Sequence, residues 1–168
     1  MVWNAASGYN RPALQQNSKG WNWTMDINAR TMLFSAQRAV PLLENCGGGG
    51  YIVSISSPGS IRELPDYIVV GASKAALESL SRYLAVKLGD KNIIVNTVSP
   101  GVGDTEALDH FDATKEENVI QSIIEKTPAS RLVTPDDIAQ VVAFICSPPA
   151  TKIRGQVILI DGGYTLLG

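Results

Sequence analysis

The chain has 168 residues, with 14 lysines and arginines against 16 aspartates and glutamates, one histidine and two cysteines. That length suggests one domain, and a net charge of −2 argues against the concentrated basic face of a nucleic-acid binder. Cys46 and Cys146 show neither a disulfide framework nor zinc spacing, and the single His110 supports neither a Ser-His-Asp relay nor a multi-histidine metal site.

Strand and helix patterns alternate along the chain. Residues 1–3 read as the remnant of a strand, and residues 21–44 as a long helix with Met25, Leu33, Phe34, Val40 and Leu43 among its apolar positions. The run Gly47, Gly48, Gly49, Gly50 follows this helix and precedes a strand, so it reads as a helix stop and turn; phosphate binding needs the opposite order. Residues 51–56 are rich in β-branched side chains and predict a strand. From about 66 to 88, Leu77, Leu80, Leu84 and Leu88 recur at helical steps, and residues 93–98 form a near-continuous apolar strand suited to a parallel sheet covered on both faces. Residues 114–126 and 134–146 predict helices. In the second of these, Thr134 caps, Pro135 fills the first turn, and Asp136 and Asp137 favour the positive helix end. Residues 156–160 close the sheet. No apolar run reaches the length of a membrane span, and the N-terminus lacks the pattern of a secretory signal. A reducing, cytoplasmic setting without membrane or nucleic-acid partners is the expectation.

Tyr67 and Lys74 are the most informative pair. Seven helical positions make roughly 700° of rotation and about 10.5 Å of rise, so both side chains would share one face of one helix, two turns apart. The position one turn before the lysine is Val70, which has no proton to give. Taken separately, Tyr67 could be a packed tyrosine and Lys74 a solvated charge; behind Ser57 and ahead of Ala75-Ala76-Leu77 they read as a functional pair.

These residues carry a resemblance to the short-chain dehydrogenase/reductase superfamily. Within it, the chain is similar to the type III bacterial enoyl-acyl-carrier-protein reductases, which use Tyr-x6-Lys where most members use Tyr-x3-Lys. Asn4-Ala5-Ala6-Ser7-Gly8 resembles the Asn-Ala turn after the fourth strand, and Asp26-Ile27-Asn28-Ala29 the segment supplying an active-site asparagine. Ile52 through Ser57 resembles the strand ending at the active-site serine, seventeen residues before Lys74. Ile94-Val95-Asn96 through Ser99-Pro100-Gly101 to Thr105 resembles the strand and loop beside the nicotinamide. Gly155-Gln156 to Asp161-Gly162-Gly163 resembles the last strand and its end.

The resemblance implies a nicotinamide-dependent reduction of the 2,3 double bond of an enoyl thioester in fatty acid synthesis. Tyr67, Lys74, Ser57 and Asn28 are then the expected catalytic residues, with Tyr67 donating to the enolate oxygen and Lys74 strengthening that donor. Asn4, Ala5, Lys74, Pro100, Gly101 and Thr105 are expected to hold the cofactor, NADPH or NADH, with NADPH favoured by the family. The implied partners are an acyl-carrier-protein or coenzyme A thioester and further copies of the chain in a homotetramer. Plainer roles stay open for several of these residues: a turn for Ser57 and Asn4, loop shape for Thr105, a solvated amide for Asn28. Gly103 departs from the apolar residue usual at its point in the loop, and residues 102–112 would belong to the substrate loop. No metal site is expected.

A glycine fingerprint between a first strand and first helix does not occur in the sequence. The expected organisation is a single domain over residues 1–168, the C-terminal two thirds of the family's α/β fold. It would be a partial doubly wound parallel sheet lacking its first strands and glycine-rich turn, with an apolar strand edge open to aggregation. A carbonyl reductase of the same superfamily and a non-catalytic remnant that serves in oligomerisation are the alternatives. On this reading the 168-residue chain alone binds cofactor weakly and turns over little; titrating the purified chain with reduced nicotinamide checks it, and tight binding with ordinary turnover would overturn it.

Overall fold

The computed structural model describes residues 1–45, 47–103 and 117–166. Four strands, β1 (Val2–Trp3), β2 (Gly50–Ile55), β3 (Ile93–Pro100) and β4 (Val157–Ile160), pair in the order β1-β2-β3-β4, every pair parallel. All strands therefore run the same way and end on one edge of the sheet. Alternation along the strands sends Ile52, Ile93 and Val95 to one face and Val53 and Val98 to the other.

The first face is covered by α2 (Thr31–Asn45) and α3 (Ile68–Lys87). Met32 and Ala36 of α2 and Leu77, Ala85 and Leu88 of α3 and its C-cap pack with the strand residues there. The second face is covered by α5 (Pro135–Ile145), whose Ile145 is buried with Ile138, Val141 and Val142 against Val53 and Val98. Helices on both faces of a parallel sheet make the fold α/β and doubly wound, as expected. A buried hydroxyl chain fastens sheet to helix: Ser54 Oγ lies 2.9 Å from Ser81 Oγ and 2.8 Å from Thr97 Oγ1.

Local chemistry explains most element ends. Thr134 and Asp137 form a reciprocal capping box at the start of α5, with Pro135 in its first turn. Gly47 and Gly49 take positive φ values of 77° and 86° after α2, the stop and turn expected of the glycine run. Gly49 is also pressed against the Asn92 carbonyl, where a Cβ would sit 2.0 Å from the oxygen.

Two helices differ from expectation. The helix expected over 21–44 is three consecutive pieces: α1 (Ser18–Met25), a π-helical turn (Asp26–Arg30) and α2. The helix expected from about residue 66 begins at Ile68, because Asp66 has φ of 57° and cannot continue a right-handed helix. Tyr67 is thus the N-cap, with φ −99° and ψ 7°, and its carbonyl accepts the Gly71 N–H at 2.7 Å. Helix α4 (Glu117–Lys126) starts at the boundary of the described residues, so 114–116 of the expected helix lie outside them, as do His110 and Thr105.

Leu77 is fully buried between α3 and the sheet. Leu77→Ala is expected to lower unfolding stability by about 3 kcal/mol, measured as a shift of the urea midpoint without a change of slope.

Candidate active site

The carboxyl edge of a parallel sheet is where ligands of doubly wound proteins sit, outside the strand ends. Asn4 and Ala5 come after β1, Ser57 after β2, Pro100 ends β3 with Gly101 behind it, and Asp161 comes after β4. The fold therefore brings to one edge the segments that the sequence singled out one by one.

Ser57 caps the short 3-10 turn Pro58–Ser60, its Oγ accepting the Gly59 N–H at 3.3 Å. The Tyr67 phenol donates to the same Oγ at 3.3 Å. Lys74 is 5% exposed and donates from Nζ to the Ile55 carbonyl at 2.9 Å. Tyr67 and Lys74 thus meet the end of β2 at positions two residues apart. Tyr67 is the cap of the helix that carries Lys74, its carbonyl accepting the first helical bond, so the two keep the two-turn spacing expected for them while the phenol reaches Ser57 from the helix start.

Two glycines set the tyrosine ring. A Cβ on Gly59 would lie 2.5 Å from Cδ1 and Cε1 of Tyr67, and one on Gly71 would lie 2.4 Å from the Gly59 carbonyl oxygen. The turn after β2 can approach the first turn of α3 this closely only because both positions lack side chains. Val70 is buried, and a Cβ on Gly8 would sit 2.3 Å from its Cγ2, so the loop after β1 closes directly over the valine. Neither contact announces itself in the sequence.

Asn28 sits in the π-helical turn and is fully buried. Its Oδ1 accepts the Ser7 N–H at 2.9 Å, and its Nδ2 donates to the Ser7 carbonyl at 2.9 Å and to Ser73 Oγ at 2.8 Å. The side chain thus binds the loop after β1 to α3 through three hydrogen bonds. That discards the solvated amide: the side chain is a tie between elements. Ser73 Oγ in turn donates to the Val70 carbonyl at 2.7 Å.

The ionisable groups are pushed by burial. Desolvation raises the Tyr67 phenol above its ordinary value of 10.0, with the Ser57 hydrogen bond opposing, so it is a protonated donor at neutral pH. Desolvation lowers Lys74 from 10.5 to about 8, and the Glu78 carboxylate one turn further on opposes that shift. Sequence reasoning misses Glu78, although a carboxylate on the stripe of Leu77 and Ser81 is the available signal. It is buried, and its Oε1 accepts from Ser56 Oγ and Ser60 Oγ, each at 2.6 Å.

A cavity of about 400 Å³ opens beside Tyr67, lined also by Ala13, Gly59, Arg62, Leu64 and Ile68. Arg62 lies over the Tyr164 ring, 5.7 Å from its centroid.

The residues present fit a nicotinamide nucleotide at this edge. The Lys74 ammonium has three N–H donors and gives one to Ile55, leaving two for hydroxyl groups. Ser99 Oγ, one residue before the end of β3, is buried without a hydrogen-bond partner among the described residues. Asn4 and Ala5 are exposed after β1, and Gly101 is packed so closely on Asp161 that a Cβ would lie 2.8 Å from its Cα. Among the described residues no cluster of three or more His, Cys, Asp or Glu side chains could hold a metal ion.

A parallel sheet wound on both faces, with a tyrosine, a lysine and a serine converging on one strand end, defines a Rossmann-like α/β protein built to hold a nucleotide at its carboxyl edge. The chain belongs to the short-chain dehydrogenase/reductase family: residues 1–165 match the family model described as Enoyl-(Acyl carrier protein) reductase. It is 37% identical over 141 residues to 1-cyclohexenylcarbonyl-CoA reductase of Streptomyces collinus, covering 84% of this chain and 49% of that protein. Over 154 residues it is 34% identical to an enoyl-[acyl-carrier-protein] reductase [NADH] of Nostoc, covering 92% of this chain and 58% of the relative. A tropinone reductase homolog of Arabidopsis thaliana is 32% identical over 168 residues, covering 100% of this chain and 62% of its own length. Among solved structures, a short-chain alcohol dehydrogenase of Sinorhizobium meliloti superposes with a TM-score of 0.91 at 31% identity, over 99% of this chain and 65% of that one. ElxO with NADP bound gives 0.86 at 29% identity, over 98% of this chain and 66% of that one. The chain thus spans between 49% and 62% of the length of these curated relatives.

Gly59→Ala is expected to displace the Tyr67 ring and lower kcat on the order of 10- to 100-fold, with the far-ultraviolet circular dichroism spectrum unaltered; steady-state kinetics on the folded variant check it.

Proposed function

We propose that the protein reduces the 2,3 double bond of an enoyl thioester with a nicotinamide cofactor, with Tyr67 as the donor to the thioester oxygen. The observation that carries this reading is the Tyr67 phenol held against Ser57 at the strand end that also accepts Lys74, while Val70 fills the position one turn before the lysine. The family model's description and two of the relatives, a reductase of a cyclohexenylcarbonyl thioester and an enoyl-carrier-protein reductase, support it.

A bound reduced nicotinamide supplies a hydride to the β-carbon of the substrate. The protein's own residues act on the charge that this transfer creates. It gathers on the thioester oxygen as an enolate, and the protonated Tyr67 donates to that oxygen where the charge develops. Ser57 orients the phenol. Lys74, as an ammonium, holds ribose hydroxyls with its remaining donors and favours the developing phenolate. Asn28 acts at one remove by fixing the loop after β1 against α3. Asn4, Ala5, Pro100 and Gly101 border the nucleotide by backbone contact, and Thr105, outside the described residues, completes the set by resemblance. ElxO has been solved with NADP bound and the Nostoc relative is described with NADH, so either cofactor is consistent, with NADPH the choice we favour.

The cavity beside Tyr67 suits an acyl thioester carried by acyl-carrier protein or coenzyme A. The whole protein is then a cytoplasmic enzyme of fatty acid synthesis, its 168 residues here forming the catalytic part of one domain. Exposed apolar side chains on the outer faces of the long helices (Phe34, Leu42, Tyr83 and Val86) favour a homo-oligomer, in this family a tetramer. No described helix is long and apolar enough to cross a membrane.

The carbonyl-reducing relatives make the substrate test decisive. The purified gene product is expected to oxidise the nicotinamide with a crotonyl thioester and to ignore an acetoacetyl thioester, measured by the loss of reduced-nicotinamide absorbance; reduction of the keto compound alone would sink the enoyl assignment. Tyr67→Phe is expected to cost roughly 10²- to 10³-fold in kcat, the usual effect of deleting one donor at a developing oxyanion. The pH profile has a defined sign. Lys74 must be an ammonium, and its value near 8 places the loss of that charge just above neutrality. The ratio kcat/KM is therefore expected to fall on an alkaline limb with an apparent pKa near 8, and a flat profile from about pH 7 to about pH 9.5 would contradict it.

A further inference from the structure

Glu78 is a buried carboxylate that the reaction above does not use. It lies on the sheet-facing side of α3, and Lys74, one turn earlier, donates to the Ile55 carbonyl rather than to it. An ionised carboxylate out of water persists only where strong donors meet it. Here the donors are two serines: Ser56 Oγ and Ser60 Oγ both reach Oε1 at 2.6 Å. Such bonds, with one partner charged, are shorter and stronger than those between neutral groups.

The two serines bracket Ser57, Pro58 and Gly59, the turn that bears on Tyr67 from two directions. Ser57 Oγ accepts the phenol, and the Gly59 backbone abuts the ring. One oxygen thus grips both ends of the segment that sets the tyrosine. Beside that grip the turn has its internal bonds, from the N–H of Ser60 to the Ser57 carbonyl at 3.0 Å and from those of Ile61 and Arg62 to the Pro58 carbonyl at 3.0 and 2.9 Å. It also has backbone anchorage at its start, where the Ser56 N–H donates to the Val98 carbonyl at 2.7 Å; Glu78 is what ties the Ser60 side chain to that start.

We propose that Glu78 is a positioning residue for Tyr67: by binding Ser56 and Ser60 through a single carboxylate oxygen it clamps the turn that carries Ser57 and Gly59 against the tyrosine ring. The inference rests on Tyr67 being the proton donor, and it holds for whichever thioester the protein reduces. Glu78 touches neither the phenol nor substrate; it works through the turn.

The test is a mutant cycle on the purified gene product, run with crotonyl and acetoacetyl thioesters. Glu78→Ala is expected to lower kcat on the order of 10- to 100-fold, with KM for the nicotinamide changed less than about threefold, because the clamp faces the tyrosine and not the nucleotide. Amide hydrogen exchange at residues 60–62 should quicken while that of β3 stays as it is. Adding Glu78→Ala to Ser56→Ala/Ser60→Ala should cost nothing further, since the carboxylate then has nothing to hold. Glu78→Gln keeps an acceptor oxygen at Oε1 and should restore most of kcat.

A carboxylate that merely balances the Lys74 charge would behave otherwise. Glu78→Ala would then cost the same factor in both backgrounds, Glu78→Gln would be as damaged as Glu78→Ala, and exchange at 60–62 would not change; any of these overturns the proposal. Should Glu78→Ala not fold, Ser56→Ala/Ser60→Ala carries the test alone, and wild-type kcat and exchange in that variant would refute the clamp. A switch of preferred thioester counts against the enoyl reading only. The exchange measurement needs no turnover, so the two failures are separable.

Discussion

The carbonyl of Gly59 occupies the space that any side chain at position 71 would need, and this close approach of a turn to a helix governs the whole site. It brings the end of β2 against the first turn of α3, so that Ser57, Tyr67 and Lys74 converge from a strand and the helix layered on it. Each neighbouring contact is a consequence. The tyrosine ring lies on Gly59, its phenol finds Ser57, and Glu78 below fastens the serines on either side.

Burial then sets the chemistry. Lys74 enters the protein with the Ile55 carbonyl as its acceptor, and desolvation draws it down to about 8. Its folded value lies below the ordinary 10.5, so between pH 8 and 10.5 the folded form binds fewer protons than the unfolded chain, and this group's contribution to stability rises with pH across that window. Holding the charge at neutral pH costs the fold about 3 kcal/mol by the size of the shift. The same burial keeps Tyr67 protonated. At neutral pH the phenol is protonated and the amine charged, as their ordinary values dictate; burial reinforces the first and works against the second.

Much of this was readable in the residues, and the failures are specific. The parallel sheet could be read in the near-continuous apolar run of β3, because a strand covered on both faces has no polar alternation to keep. The start of α5 could be read because Thr134, Pro135 and Asp137 each act locally. The position of Tyr67 could not. Its two-turn spacing from Lys74 holds, but that Tyr67 is the cap rather than a residue inside the helix follows from Asp66 in a left-handed conformation, and a lone aspartate does not announce that choice. Asn28 stands out as odd within a helix, yet its partners Ser7 and Ser73 lie 21 and 45 residues away, beyond any local rule. Gly59, Gly71 and Glu78 escape a reading of the residues for the same reason, since their meaning comes from what crosses over them.

The π-helical turn at Asp26–Arg30 leaves a mark on the geometry of everything around it. One extra residue in a helical coil shifts the angular phase of every later residue by roughly 100°. The segment before the turn can therefore lean on α3, with its Gly20 and Thr24 buried and Gly20 facing Tyr9, while the segment after it aims Met32 and Ala36 at the sheet. Removing a single residue from this turn would tighten the coil into an ordinary helix and leave it unable to satisfy both neighbours, so length here is constrained as strictly as chemical identity.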